Sequence, residues 1–234
     1  MKTTALLAAL LLPACLMGQT VKRTRTFDEG ILTLEASAGV NVFLTQGNTE
    51  SVRIDARGFA EDEIIADVRG DKLVLSTRRQ GGSWSFGPFG KSRYVKAYVT
   101  VRNLNTISVS SGADLTGETT FTADKLTIST SSGADLKMAV KTNRLTVSVS
   151  SGADATLSGS TGKLTASSSG GANLNADKLT ADVCYADASG GADAHVYGRK
   201  ELYLRASGGA DVTYSGPGQV MSRKKSGGGD ISPN

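Results

Sequence analysis

The sequence has few of the side chains that build compact cores and common active sites. Of its 234 residues, 6% are aromatic, four are proline, two are cysteine and one is histidine. A globular core of large side chains is therefore not expected, whereas a solenoid needs only a narrow apolar strip in each coil. Apolar residues still make up 39% of the chain, which is too many for a disordered protein.

The shortage of histidine also limits the chemistry. Nucleophilic catalysis by a hydroxyl or thiol needs a base that a third group orients. The sole histidine, His195, lies between Ala194 and Val196, and strand alternation turns it to solvent. No nucleophile elbow, phosphate loop, dinucleotide fingerprint or zinc-ligand spacing occurs in the sequence. We therefore predict no catalytic residue, no cofactor and no metal site.

The net charge is small. Removal of residues 1–18 lowers the formal charge from +4 to +3, because Lys2 is the only charged residue of that segment. A balance this mild does not indicate nucleic-acid binding. The cluster Arg223-Lys224-Lys225 is interpreted as part of a glycine-rich, basic tail over residues 215–234.

The first eighteen residues predict a signal peptide and export. A short positive region precedes the apolar run Ala5 to Leu12, which is too short to span a bilayer. Cleavage after Gly18 would release a secreted or periplasmic protein. The segment Leu12-Pro13-Ala14-Cys15 also resembles a bacterial lipobox, although its proline is atypical, and acylated Cys15 would then anchor the protein at the outer membrane. A lipid at this position is the only membrane contact that we predict.

The feature that dominates the rest of the chain is a repeat marked by Gly-Ala-Asp. The copies stand at Gly112-Ala113-Asp114, Gly133-Ala134-Asp135, Gly152-Ala153-Asp154, Gly171-Ala172-Asn173, Gly191-Ala192-Asp193, Gly209-Ala210-Asp211 and Gly228-Gly229-Asp230. Successive copies are separated by about nineteen residues, and such regular spacing is typical of a solenoid.

Between the markers, apolar and polar residues alternate with a period of two, as in β-strands. Leu145, Val147 and Val149 share one face, for example, while polar residues occupy the other. The sequence predicts an all-β solenoid whose coils pair in parallel about 4.8 Å apart. Residues 19–110 would form a strand-rich, irregular part or cap, and residues 111–234 the regular coils.

The acidic position of the marker allows two interpretations. Glycine permits a positive φ at a corner, and the following Asp or Asn can hydrogen-bond the local backbone. The row Asp114, Asp135, Asp154, Asn173, Asp193, Asp211 and Asp230 is then a set of structural corners. A line of Ca²⁺ ions is the alternative, but each coil supplies one carboxylate and Asn173 interrupts the row.

Residues with a binding function are more readily sought where the nineteen-residue repeat is interrupted. The stretch Gln80–Gly90 holds the only tryptophan, and we predict a candidate binding loop around Trp84, Phe86 and Phe89. Their rings could equally cover the end of the solenoid. A second irregularity is the early Lys178-Leu179 pair, which predicts a displaced corner. Glu61-Asp62-Glu63 predicts a short helical turn or a charged loop.

Several segments in order resemble the bacterial family called putative auto-transporter adhesin, head GIN domain. The resemblance rests on Phe27, on Gly39–Gly47 (GVNVFLTQG), on Asp71–Leu75 (DKLVL) and on Val99–Ile107 (VTVRNLNTI), followed by the Ser-Gly-Ala-Asp repeats. It implies a right-handed parallel β-helix in a cell-envelope or secreted protein. It offers no catalytic residues to carry over.

Together these observations predict an exported binding or adhesion module without catalytic activity. Its partner would be an envelope, glycan or protein ligand that the sequence does not identify. A structural envelope protein that self-associates as a homo-oligomer is one alternative. A β-helix enzyme acting on polysaccharides is the other, and it would need carboxylates that converge in a groove.

Overall fold

The structure is a computed structural model that describes residues 20–27, 30–78 and 93–234. These residues form seventeen strands and a 3-10 turn over Glu61–Glu63. The strands are β1 (Thr20–Phe27), β2 (Thr33–Ala36), β3 (Val40–Gln46), β4 (Glu50–Arg57), β5 (Ile64–Arg69), β6 (Lys72–Thr77), β7 (Tyr94–Val101), β8 (Thr106–Ser110), β9 (Asp114–Gly117), β10 (Phe121–Ser131), β11 (Asp135–Ser150), β12 (Asp154–Ser169), β13 (Asn173–Ser189), β14 (Asp193–Ser207), β15 (Asp211–Ser215), β16 (Gln219–Ser226) and β17 (Asp230–Pro233). Within these ranges, no helix is long and apolar enough to cross a bilayer.

The strands stack as a parallel β-solenoid of about seven turns, with coils about nineteen residues apart. Each regular coil pairs in register with the next, so that Asp135 lies between Asp114 and Asp154. The same register continues through Asn173 to Asp230. The fold class predicted from the repeat is therefore confirmed.

Each regular coil has three walls. The first bend, between the first and second walls, lies in the break between two strands, because β9 ends at Gly117 and β10 begins at Phe121. The second is visible in the burial pattern of β11, where Asn143 and Arg144 are both exposed and the alternation changes phase. In that coil the first wall begins at Asp135, the second is the short segment 140–142, and the third is 145–150.

Alternate residues of all three walls point inward and form one continuous apolar core. Phe121 is the largest fully buried side chain of the described residues. Two hydroxyls enter the core at the corner before Asn143, and they satisfy each other because Thr142 donates to Thr161 over 2.9 Å. Cys184 is buried in this core, and burial raises the pKa of its thiol to about 12.

The Gly-Ala-Asp marker forms the corner before the first wall. Gly112, Gly133 and Gly152 have φ values of 67°, 65° and 67°, in the region that glycine enters at low cost. The serine before each of them also has a positive φ, as in Ser151 at 57°. The marker alanine is buried at the head of the wall, as Ala113 is. The glycine of the marker therefore has the role that the sequence predicts.

The N-terminal half joins the same stack, but its coils are out of chain order. Strand β2 lies between β6 and β8, and β3 lies between β7 and β9. The chain thus first forms a coil with β2 and β3. It then adds an outer coil with β6 and β7 on one side of that coil, and it continues with β8 and β9 on the opposite, inner side. Ala38 and Gly39 repeat the marker corner with φ values of 56° and 73°, and Asn41 pairs with Asp114.

The outer coil is extended by antiparallel strands that close this end. Strand β4 pairs with β7, β1 pairs with β4, and β5 pairs with β6. Arg23 on β1 lies opposite buried Ile54, so its side chain is on the inner face of the sheet. Its guanidinium donates from Nη2 to the carbonyl oxygen of Ile64 on the facing wall over 3.1 Å. An inward arginine thus ties the two walls together across the end.

The other end of the solenoid is closed in the same way. A register shift around Met221 places Arg223 opposite Leu204 and Lys225 opposite Ala206, which are inward positions of the preceding coil. Arg223 donates to the carbonyl oxygen of Ile231 on β17, and Lys225 donates to a carboxylate oxygen of β17. The interpretation of residues 215–234 as a basic tail was wrong, because these residues form the last coil and its cover. Inward charges of this kind discourage edge pairing.

Candidate functional site

The row of marker carboxylates is a surface ladder and not a convergent site. Its members begin successive first walls, and their backbone N–H groups hold the coils together, as Asp154 does by donating to Ala134 O over 3.0 Å. Asn173 Nδ2 donates to Asp154 Oδ1 over 2.8 Å, so its amide relieves the repulsion at that step. At Asp230, the hydrogen bond from Lys225 and, to a lesser extent, one from the backbone of Ile231 lower the pKa of the carboxyl group.

Electrostatics at the start of the row are unfavourable. Burial, and secondly the neighbouring charge of Asp135, raise the pKa of Asp114. Among the described residues, no three acidic, histidine or cysteine side chains gather as metal ligands. The interruption by Asn173 and the single carboxylate of each coil again favour structural corners over a line of ions.

We expect Asp114→Asn to stabilise the protein at neutral pH. The raised pKa means that folding disfavours the ionised carboxylate, so the penalty exists above that pKa and disappears when the group is protonated. Like charges on paired strands cost roughly 0.2–1 kcal/mol, which corresponds to a rise in Tm of about 0.4–4 °C. Thermal unfolding at pH 7 and at pH 3 measures the effect, which should shrink at the lower pH.

The matched control is Asp230→Asn. The hydrogen bond from Lys225 lowers the pKa of Asp230, so its ionised form is favoured by folding and its loss should lower Tm at pH 7. A gain of stability from both substitutions would contradict the conclusion that Asp114 and Asp135 repel each other.

Several residues singled out in the sequence do not enter a described site. Cys15, Trp84, Phe86 and Phe89 lie outside the described residues. His195 is exposed, as predicted. The displaced corner predicted near Lys178 is present, since the register shifts between Ala176 and Thr180.

A groove of about 470 Å³ follows the second wall across five coils. One side is a row of outward residues in which Thr122 pairs with Lys141, Lys141 with Ser160 and Ser160 with Thr180. Because each step along the stack is about 4.8 Å, the groove is roughly 20 Å long. It is long and lined mainly by polar residues, and it runs parallel to the solenoid axis.

The corner after the second wall forms the floor of the groove. The equivalent residues there are Asp124, Asn143, Gly162 and Asp182, all of which line it. Asn143 Nδ2 donates to Asp124 Oδ1 over 2.7 Å, which orients both side chains. Gly162 has no side chain in this row, and an added Cβ would lie 2.8 Å from Asn143 O, so the close stacking of the coils favours glycine here.

A row of cations follows immediately beyond this corner. Lys125 pairs with Arg144, and Arg144 pairs with Lys163 on the next coil. All three are exposed, and none is within 4.0 Å of a carboxylate in the described ranges. The ammonium of Lys163 lies 4.5 Å from the ring centroid of Tyr185, an outward residue of the third wall. Like charges about 5 Å apart repel even in water, by somewhat less than about 1 kcal/mol.

The far end of the groove contains a compact ion-pair cluster. Asp182 Oδ1 lies 2.5 Å from Arg199 Nη2, and Asp182 Oδ2 lies 3.0 Å from Lys200 Nζ. The hydrogen bond from Lys200, with the help of Arg199, holds the pKa of Asp182 below its ordinary value. One carboxylate faces two cations here, so the cluster keeps a surplus positive charge.

This arrangement is suited to binding an extended, hydroxyl-rich chain. Carboxylate, amide and hydroxyl groups line the groove, and the row of cations lies one residue beyond its floor in each coil. Sequence reasoning missed the groove because its floor residues differ in every coil and so do not repeat. The useful signal was the displaced corner near Lys178, since Thr180 and Asp182 follow it directly and line the groove.

Comparison with known proteins places the chain in a family. A putative adhesin from Bacteroides fragilis has a similar structure, with a TM-score of 0.78 and 21% sequence identity over 92% of this chain and 97% of that one. A putative adhesin from Parabacteroides distasonis gives a TM-score of 0.72 at 13% identity, over 93% of this chain and 98% of that one. A putative lipid binding protein from the same organism gives 0.69 at 13% identity, over 93% and 98%.

At these identities the structural matches show the shared fold, and no curated protein sequence matches. The family model for the putative auto-transporter adhesin, head GIN domain, matches residues 32–218. That range runs from the first parallel coil almost to the last, and the chain therefore belongs to this family.

Proposed function

We propose that the protein is a non-catalytic adhesion module, exported to the cell envelope or secreted, that binds an extended ligand through the groove of its second wall. The observation that carries the proposal is the groove itself, which is polar, open and parallel to the solenoid axis over five coils. The adhesin names of the family and of its structural neighbours support the same role.

The groove is better suited to binding than to catalysis. Glycoside hydrolysis uses two carboxyl groups that flank one bond, about 5–9.5 Å apart. Asp124 and Asp182 are the two carboxylates of the floor, and they stand three coils apart, which is about 14 Å at the spacing of the stack. Asp124 accepts a hydrogen bond from Asn143, and Asp182 is engaged by Arg199 and Lys200. Each carboxylate is thus already engaged by a neighbouring side chain, which does not favour a role in activating water for attack.

Self-association through the ends is also disfavoured. Arg23 and Arg223 place guanidinium groups across the two ends of the stack, where another coil would have to dock. The walls of the solenoid are left free, which favours a role in binding a different molecule.

The groove can be tested by filling it. Ser160 is exposed in the middle of the hydroxyl row, so Ser160→Tyr would occupy the space without disturbing the core. We expect labelled wild-type protein to bind polysaccharides or envelope fractions on an array, and Ser160→Tyr to lower that binding at least tenfold.

The matched control is Ser148→Tyr. Ser148 is an exposed serine of the third wall on a neighbouring coil, so the same side chain is added outside the groove. Binding by this variant should equal that of the wild type. Equal losses in both variants, or no binding of any component by the wild type, would refute the proposed site.

A further inference from the structure

We propose that the ligand of the groove is an anionic polysaccharide, whose acidic groups are held by the row Lys125, Arg144 and Lys163 while its hydroxyls contact the floor. This inference rests on the proposed function, and it adds the chemical class of the ligand. In each coil the row lies one residue beyond the floor of the groove. Local ion pairs leave its charges uncompensated among the described residues.

The first argument is the position of the charges. Paired strands bring the three cations to successive coils, so they form a straight line parallel to the groove. Like charges on adjacent coils repel, and a polyanion lying along them would remove the repulsion at every step. A compact ligand with one acidic group would engage only one member of the row.

The second argument is the balance of charge around the groove. Lys141 adds a positive charge on the hydroxyl row, and Asp182 carries one negative charge between Arg199 and Lys200. Cations therefore outnumber carboxylates both at the edge and at the far end. A neutral chain would leave these charges unmatched, whereas a chain of uronic acids or other acidic sugars would match them.

The third argument is the combination of groups. The hydrogen-bonded pair of Asn143 and Asp124 and the threonine and serine hydroxyls present donors and acceptors beside the cations. Sugar hydroxyls need such partners. A nucleic acid would use the cations, but duplex DNA presents no free hydroxyls along its chain to these partners.

Binding of polygalacturonate and of its fully methyl-esterified form tests the inference directly, because the two polymers share a backbone and differ in charge. We expect the full chain to bind polygalacturonate at least tenfold more tightly in isothermal titration or surface plasmon resonance. Three released counterions predict a slope of about −2 in a plot of log affinity against log salt concentration.

The variant K125Q/R144Q/K163Q should lower the affinity for polygalacturonate at least tenfold. The control R102Q/K137Q/K224Q removes the same numbers of lysines and arginines from other exposed positions, and it should change affinity less than twofold. Circular dichroism and Tm confirm that both variants are folded. Similar losses in the two variants would overturn the role of the row.

Two further outcomes separate this inference from the proposed function. Equal binding of the esterified polymer, with loss in Ser160→Tyr alone, would overturn the anionic ligand and leave the groove as an adhesion site. Binding of duplex DNA as tightly as polygalacturonate, unaffected by Ser160→Tyr, would show a general polyanion surface and also overturn the inference. Loss of polygalacturonate binding in both Ser160→Tyr and K125Q/R144Q/K163Q is the result that supports it.

Discussion

Replacement of Gly159 by alanine is expected to destabilise the solenoid by about 3–5 kcal/mol, the largest effect we predict for a single substitution. Gly159 has a φ of 105°, which side-chain-bearing residues rarely adopt. An added Cβ would also overlap the carbonyl oxygen of Val140 on the preceding coil. Backbone atoms cannot move aside like a flexible side chain, so the coil itself would have to shift.

The size of this effect follows from the close stacking at the bend between the first and second walls. Gly159 pairs with Val140 on one side and with Leu179 on the other, and both of those residues are buried. A shift would disturb the core of two neighbouring coils. For a protein of this length, a loss of 3–5 kcal/mol should lower Tm by about 6–20 °C, which differential scanning calorimetry measures.

Gly152→Ala is the matched control, because it tests positive φ without steric overlap. Gly152 has a φ of 67° and nothing lies within 4 Å of an added Cβ. Ser151, its neighbour, already tolerates a φ of 57°. We expect a cost of about 1–2 kcal/mol from backbone conformation alone. Equal losses at Gly152 and Gly159 would show that contact between coils does not limit the second site.

The repeat predicted the solenoid because parallel stacking imposes the same demands on every coil. Each coil must turn at the same position, so glycine recurs there, as at Gly133 and Gly171. Each coil must also bury alternate residues, so the apolar pattern recurs. These demands leave a period in the sequence. The helical turn at Glu61–Glu63, one of the two alternatives that the local sequence allowed, is also present.

Other features leave no such period. The coil of β2 and β3 lies between two later coils, and nothing in a local pattern shows that the chain returns to its inner side. Strand β1 was missed because its inner face carries Arg23 and Arg25 where a core strand would carry apolar residues. The cation row was missed because Lys125, Arg144 and Lys163 look like ordinary strand-flanking residues until register aligns them.

The arginines at the ends lead to the second large effect, a change of oligomeric state. In R223L/K225A, the two inward positions of the last coil receive the residue types of their partners Leu204 and Ala206 in the coil before. The end of the stack would then present an apolar strip and an open strand edge, as an internal coil does. Such an edge is a template for pairing with another chain.

We expect the wild-type protein to be monomeric and R223L/K225A to dimerise at micromolar concentration. Association should stop at the dimer, because two C-terminal ends can meet while β1 and Arg23 still cover the other end of each copy. A symmetric contact of this kind is closed and does not propagate. Sedimentation velocity over a range of concentrations distinguishes monomer, dimer and fibre.

The control R205L/K224A makes the same two kinds of substitution at outward positions, since Arg205 and Lys224 are exposed and pair with each other. It should remain monomeric. If the capped and uncapped proteins sediment alike at every concentration, the inward charges do not prevent docking at this end. If the wild type itself forms long assemblies, self-association through ends becomes the better account of the protein, because the covers at Arg23 and Arg223 would then have opened to admit a neighbouring coil.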